Sequence, residues 1–448
     1  MTTLIENGHI VNEGKIFTGS ILIREGTIDC IVESSAKDYF RTVEKLEEWA
    51  DNVVDAEGMY VAPGVIDEHV HFREPGATWK GCVESESRAA ALGGVTSFMD
   101  MPNNDPPAVT REAVDSKFSI AAKDSWVNYS FYIGATNGNI EEIARADPHR
   151  IPGVKVFMSS STGNMRVDDP AALDAIFSRS PLTITAHCEK QEIIDANLEK
   201  ARKEYTELIP YSVHELVRSR EECIRSTAQV LDLALKHGSS LHVLHLSTAE
   251  EVGMIAEAAK ANPKISGEIC VQYLVLDDTM YGRYGPMMKC NPSIKKPCDK
   301  LALREALKKG IIRVVATDHA PHLFCEKDRG CFDAPSGVPL IQNSLQIMLE
   351  LCKEGVFRIE DVVSWMCHGP AERFRIEGRG FIRKGYKADI VIFDTERPCR
   401  VIPMSRAGWS LFSSFSSSIV HTFVNGVQVV EDGKLTMERN SQALSFRR

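Results

Sequence analysis

The pattern of apolar and polar positions changes character twice along the chain. Over the first 60 residues, short runs broken by glycine turns read as strands: TLIENGHIV, KIFTGSILIREG, TIDCIVES and NVVDAEGMYV. The same texture returns near the end in KADIVIFDT and HTFVNGVQVVEDGKL. Between them, short apolar runs alternate with helix-like stretches: APGVIDEHVH, GGVTSFMDMP, VNYSFYIGA, GVKVFM, LTITAHCE, SLHVLHLST, ISGEICVQYL and IIRVVATDH. Eight strands alternating with helices predict an α/β fold, a (β/α)8 TIM-like barrel, over residues 61–375. Residues 1–60 and 376–448, the two β-rich ends, are expected to join in one small β-sandwich beside it. No internal repeat appears, and SLFSSFSSSIV near residue 415 is the one biased patch, expected to be a loop.

Composition narrows the function classes. A length of 448 residues exceeds one ordinary core, in keeping with a barrel plus an addition. A net charge of −10 argues against a nucleic-acid partner, which would call for a basic surface. The N-terminus MTTLIENGHIVNEGK lacks a basic region followed by an apolar run, so no signal peptide is expected. No stretch reaches the roughly 18 apolar residues of a membrane span, and the expected location is cytoplasmic. Twelve cysteines form no C-x-x-C pair and are irregularly spaced, which fits reduced thiols rather than a disulfide framework.

Residues of metal-ligand type fall at the ends of the predicted barrel strands. The first strand ends in Asp67-Glu68-His69-Val70-His71, where a period of two puts His69 and His71 on one face. Lys155 lies on the fourth strand, His187 ends the fifth, His245 the sixth and Asp318 the eighth. In barrels of this kind the C-terminal strand ends form the active-site face. Imidazole and carboxylate suit a zinc-like ion. A lone histidine or a bare H-x-H is a weak signal; the ordered set at successive strand ends is strong. His9, His149, His214, His237 and His421 lack such placement and are read as structural. Lys155 is the odd member, because an ammonium cannot ligate a cation. It is either a salt-bridging lysine or an amine carboxylated by carbon dioxide.

The segments GVIDEHVHFREPG, GGVTSFMDMPN, GVKVFM, TAHCE, LHLS and ATDHAPHLFCEK resemble the amidohydrolase superfamily and, within it, the bacterial dihydroorotases with HFREPG and DHAPH motifs. The resemblance covers nearly the whole chain in order. It implies two divalent ions, zinc by preference, one held by His69, His71 and Asp318 and the other by His187 and His245, bridged by a carboxylated Lys155. Ions sharing a water lower its pKa, and Asp318 is the implied proton shuttle. The reaction implied is reversible hydrolysis of (S)-dihydroorotate to N-carbamoyl-L-aspartate, a step of pyrimidine biosynthesis. For the substrate it implies Arg73 on the ring carboxylate, Asn103 and His322 completing the pocket, and Asn291 with Ser336 and Gly337 at the amide edges. Two departures stand out: Glu68 replaces a small or apolar residue and is expected to face away from the metals, and Asn291-Pro292-Ser293-Ile294-Lys295 replaces N-P-P-L-R.

The bland alternative for Arg73 is a surface ion pair with Glu74. Among enzymes the rival is allantoinase or another hydantoinase- or dihydropyrimidinase-like cyclic amidase; a scaffold that has lost its ligands is the rival of another class. The expected partner is a small-molecule substrate, with neither nucleic acid nor membrane, and a homodimer stays open.

Overall fold

The eight apolar runs form eight parallel strand positions in a ring in the computed structural model, which describes residues 1–160, 165–206 and 209–447. In order they are Val65–Val70, Val95–Asp100, Asn128–Phe131 continued by Ile133–Gly134, Gly153–Phe157, Thr183–His187, Leu241–Val243, Ile265–Cys270 and Val314–Ala316. Ser266 apart, every residue in them is buried, as expected for parallel strands covered on both faces. The first and eighth strands meet through a parallel bridge between Val70 and His319, and the His71 amide donates to the His319 carbonyl at 2.7 Å. Helices return the chain between strands. Ala249–Ala261 is started by Thr248 and Glu251 in a reciprocal cap, and Arg220–His237 is ended by Gly238 in the left-handed region at φ 64°.

The chain ends pair in one nine-stranded mixed sheet. Tyr60–Pro63 is its seam, running parallel to Thr2–Asn12 and antiparallel to Ile390–Asp394. Ile10, Ile21, Val61, Ile390, Ile392 and Phe423 form the core there. The chain enters the barrel directly after this seam, which anchors the first strand, and hence His69 and His71, to the sheet. The tail departs from the sheet: the Leu444 amide donates to the Tyr129 carbonyl, and Leu444 and Phe446 pack with Ile66, Met99 and Tyr132.

Two local expectations change. A helix, Tyr39–Glu47, lies within the strand-rich N-terminal part; Tyr39, Val43 and Leu46 recur at helical spacing and cover Leu4 and Leu22. The serine-rich patch is not a loop throughout. Ser414–Phe415 pairs with Cys399–Arg400, and Ser418 opens a strand to Val424. Its hydroxyls find partners, Ser416 Oγ on Glu350 at 2.9 Å and Ser418 Oγ on the Arg397 carbonyl at 2.7 Å, so a polar composition is compatible with pairing. All twelve cysteines are free thiols. Among the described residues no helix is long and apolar enough to cross a membrane.

One buried ion pair fixes the segments that carry the site. Asp100, last in the second strand, accepts from the Phe72 amide at 2.7 Å and pairs with Lys117 Nζ at 2.6 Å. Lys117 also donates to the Met101 carbonyl and to Asn104 Oδ1. Burial raises the pKa of Asp100 and lowers that of Lys117, in each case outweighing the partner's attraction. Removing one member strands the other charge. Lys117→Met is therefore expected to cost about 3–5 kcal/mol, read from urea unfolding; a variant as stable as the parent protein would show that the pair holds nothing together.

Candidate metal centre and substrate pocket

Barrel closure sets His69 and His71 opposite Asp318. His69 Nε2 and His71 Nε2 lie 3.3 and 3.0 Å from Asp318 Oδ1. The far nitrogens are engaged: His69 Nδ1 with Glu268 Oε1 at 2.6 Å, His71 Nδ1 with Asn103 Oδ1 at 2.7 Å. Those oxygens only accept, so both Nδ1 atoms carry the proton and both Nε2 atoms present lone pairs. Three acceptors thus face one another with no proton between them, and the buried His69 Nε2 has no hydrogen-bond partner among the described residues. Such a convergence repels unless a cation sits within it, and these groups are also clustered closely enough to share one. Burial holds His69 and His71 far below the usual histidine range, in the neutral form that ligates. It also raises Asp318, against the opposing pull of His69 and Lys155.

A second pair stands on the fifth and sixth strands. His187 Nδ1 and His245 Nε2 are 2.8 Å apart. His187 Nε2 donates to Glu189 Oε2 at 2.7 Å, a carboxylate that Arg218 also holds, so Nδ1 is the ring nitrogen that His187 turns inward. The His69 and His245 rings are 5.5 Å apart, which puts the two ligand sets side by side. Lys155, 1% exposed, lies on the neighbouring fourth strand with Nζ 4.6 Å from the Phe157 ring centroid. Burial pulls its pKa down to about 8, with Asp318 and Glu268 resisting. At pH 7 roughly a tenth of such an amine is neutral, against well under a thousandth for an ordinary lysine. Reaction with carbon dioxide requires that neutral form.

All twelve residues singled out in the sequence line one cavity of about 330 Å³: His69, His71, Arg73, Asn103, Lys155, His187, His245, Asn291, Asp318, His322, Ser336 and Gly337. Arg73 Nη2 is 3.1 Å from His322 Nε2, and Arg73 Nε donates to the Pro321 carbonyl at 3.3 Å. Glu74 is occupied elsewhere, accepting from the Val83 amide at 2.8 Å. Gly337 has φ 143°, and a Cβ there would come within 2.5 Å of the Ala320 carbonyl oxygen. Three site residues that do have side chains, Arg73, His245 and Asp318, sit at positive φ (68°, 40° and 50°), backbone strain held at the strand ends by the barrel around them. Glu68 lines no part of this cavity. It is buried and bonded to Tyr132 and His242.

Sequence reading missed Glu189 and Glu268, which orient His187 and His69, and Lys80, which lies 3.1 Å from His322 Nδ1. A signal existed for the first two. Glu189 repeats the two-residue spacing of His69 and His71, and Glu268 is a carboxylate within an otherwise buried strand, a costly placement without a partner. Lys80 carries no local signal.

The chain matches the amidohydrolase family over residues 60–429. It is 32% identical to a dihydroorotase of Methanosarcina acetivorans over 92% of this chain and 88% of that protein. With a dihydroorotase of Halobacterium salinarum it shares 35% identity over 77% and 79% of the two chains. Among solved structures it resembles the L-hydantoinase (dihydropyrimidinase) of Arthrobacter aurescens, with a TM-score of 0.91 at 26% identity over 99% of both chains. A D-hydantoinase superposes with a TM-score of 0.86 at 26% identity, covering 99% and 98%. Since Glu268 fixes the His69 proton on Nδ1, Glu268→Ala, which removes the acceptor, is expected to weaken metal retention roughly 10–100-fold. Chelator competition followed by metal analysis measures this, and retention equal to that of the parent protein rules the orienting role out. Fold, convergent acceptors and relatives agree: the chain belongs to the amidohydrolase family, whose enzymes are metal-dependent hydrolases.

Proposed function

We propose that the protein is a dihydroorotase, interconverting (S)-dihydroorotate and N-carbamoyl-L-aspartate. The observation that carries this reading is Arg73. Its guanidinium lies at the edge of the cavity that also holds the six metal-type residues, and dihydroorotate has a ring carboxylate that hydantoin, dihydrouracil and allantoin lack. A planar fork matches a carboxylate two bonds at a time. The family resemblance and the relatives named dihydroorotase support the same substrate.

In this reading His69, His71 and Asp318 would hold one zinc ion, His187 and His245 a second, and a carboxylated Lys155 would serve both. Bound there, the ions supply a water of lowered pKa and polarise the ring carbonyl. The chain's own residues do the rest. Arg73 grips the carboxylate, with Asn103 and His322 beside it, and Asn291 with the Ser336–Gly337 backbone meets the amide edges. Asp318 takes the water's proton as the new C–O bond forms. It returns that proton to the ring nitrogen as the C–N bond breaks, and the new acid loses its proton to solvent. Residues 61–375 serve as the catalytic unit and the two chain ends as its support. The partner is a small molecule, and we place the enzyme in the cytoplasm.

A hydantoinase-type reading draws on the likeness to the Arthrobacter aurescens enzyme. Assays of the purified protein on dihydroorotate, hydantoin, dihydrouracil and allantoin side by side separate the two. Arg73→Met is expected to lower kcat/KM for dihydroorotate at least about tenfold, the scale of one charge-assisted hydrogen bond. Any turnover of dihydrouracil should barely change, and metal content should be unaltered. Equal losses on both rings would assign Arg73 to loop support. Lys155→Ala is expected to lose metal and activity together and to regain part of both in short carboxylic acids; full activity without them ends the bridging role.

A further inference from the structure

Lys80 lies outside the cavity lining, yet its ammonium stands 3.1 Å from His322 Nδ1. An ammonium has only protons to offer, so Nδ1 must accept. On the ring's other side, His322 Nε2 is 3.1 Å from the Ser336 carbonyl oxygen, which has only lone pairs, so Nε2 must carry the proton. Two partners on opposite edges thus demand the same tautomer. Each is fixed in turn. Lys80 is held by Glu326 Oε1 at 3.3 Å; the other carboxylate oxygen of Glu326, 3.9 Å from Nδ1, is beyond hydrogen-bond reach of the ring. The buried Lys327 donates to the Pro335 and Gly337 carbonyls at 2.9 and 3.0 Å, and so turns the Ser336 carbonyl between them toward His322. The His322 carbonyl accepts from Trp409 Nε1 at 2.8 Å. Burial, with Arg73, Lys80 and Lys327 nearby, keeps the imidazole uncharged.

The consequence falls on Arg73. With a proton on Nε2, His322 cannot accept from Arg73 Nη2 despite the 3.1 Å separation, so that contact is not a hydrogen bond. In the opposite tautomer the Nε2 lone pair would face the guanidinium and engage it. We propose that Lys80 is a positioning residue that locks His322 in the Nε2–H tautomer and thereby keeps the Arg73 fork open for the carboxylate of the substrate. This deepens the dihydroorotase reading and rests on it for the ligand, though not for the tautomer.

The test joins a spectroscopic and a kinetic readout on the metal-loaded enzyme. Multiple-bond 15N–1H spectra of histidine-labelled protein, with His322 assigned by its loss in His322→Gln, are expected to show a protonated Nε2 and a bare Nδ1. In Lys80→Met the His322 signals should move toward the Nδ1–H form. KM for dihydroorotate should rise roughly tenfold, the worth of one competing hydrogen bond, with kcat nearly unchanged and any turnover of dihydrouracil unaffected. Lys80→Arg, which still donates, should restore both readouts. The proposal is overturned by Nδ1–H in the parent protein, by an unchanged tautomer in Lys80→Met, or by a changed tautomer with an unaltered KM. Absence of any dihydroorotase activity would instead defeat the substrate reading, with the spectra still deciding the tautomer.

Discussion

The His71 amide reaches the His319 carbonyl at 2.7 Å, and through this contact the first and last strands of the barrel become neighbours. Residues nearly 250 positions apart then share one rim. His69 and His71 arrive from one side and Asp318 from the other, and their acceptor atoms are brought to within 3.3 Å without a proton to separate them. An apolar barrel wall imposes that crowding: the strands are buried on both faces, so side chains at their ends have nowhere to turn but inward. The crowding of lone pairs that would suit a cation follows from this closure rather than from any single residue.

Charge is then divided between the two halves of the cavity. On one side stand imidazoles backed by glutamates, His69 by Glu268 and His187 by Glu189. On the other side Arg73 lines the cavity beside an uncharged His322, with Lys80 and Lys327 behind them. Lys327 is buried and satisfied by three backbone carbonyls, with burial pulling its pKa down to about 7. A cyclic amide bearing a carboxylate matches this division, its carbonyl toward the metal half and its anion toward the cationic half. The same barrel shape in hydantoinases shows that overall geometry does not choose the substrate; a few side chains at the rim do.

Much of this was legible in the sequence because the signals are local. Short runs broken by glycine turns marked the sheet strands, apolar runs between helix-like stretches marked the barrel strands, and H-x-H, TAHCE and DHAPH stood at strand ends where barrel chemistry resides. The helix Tyr39–Glu47 escaped because its apolar spacing is short and set among strand patterns, and the serine-rich patch misled because serine prefers turns until tertiary partners satisfy its hydroxyls.

What the sequence alone determined is the list of candidate ligands, their order around the barrel and the family they resemble. What only the tertiary structure decided is which nitrogen of His69, His71 and His322 carries the proton, and which residues outside the motifs enforce the choice. Glu268 meets His69 across 199 positions and Lys80 meets His322 across 242. Proton placement depends on partners within about 3 Å, and nothing in the spacing of a linear chain reports a contact that barrel closure creates.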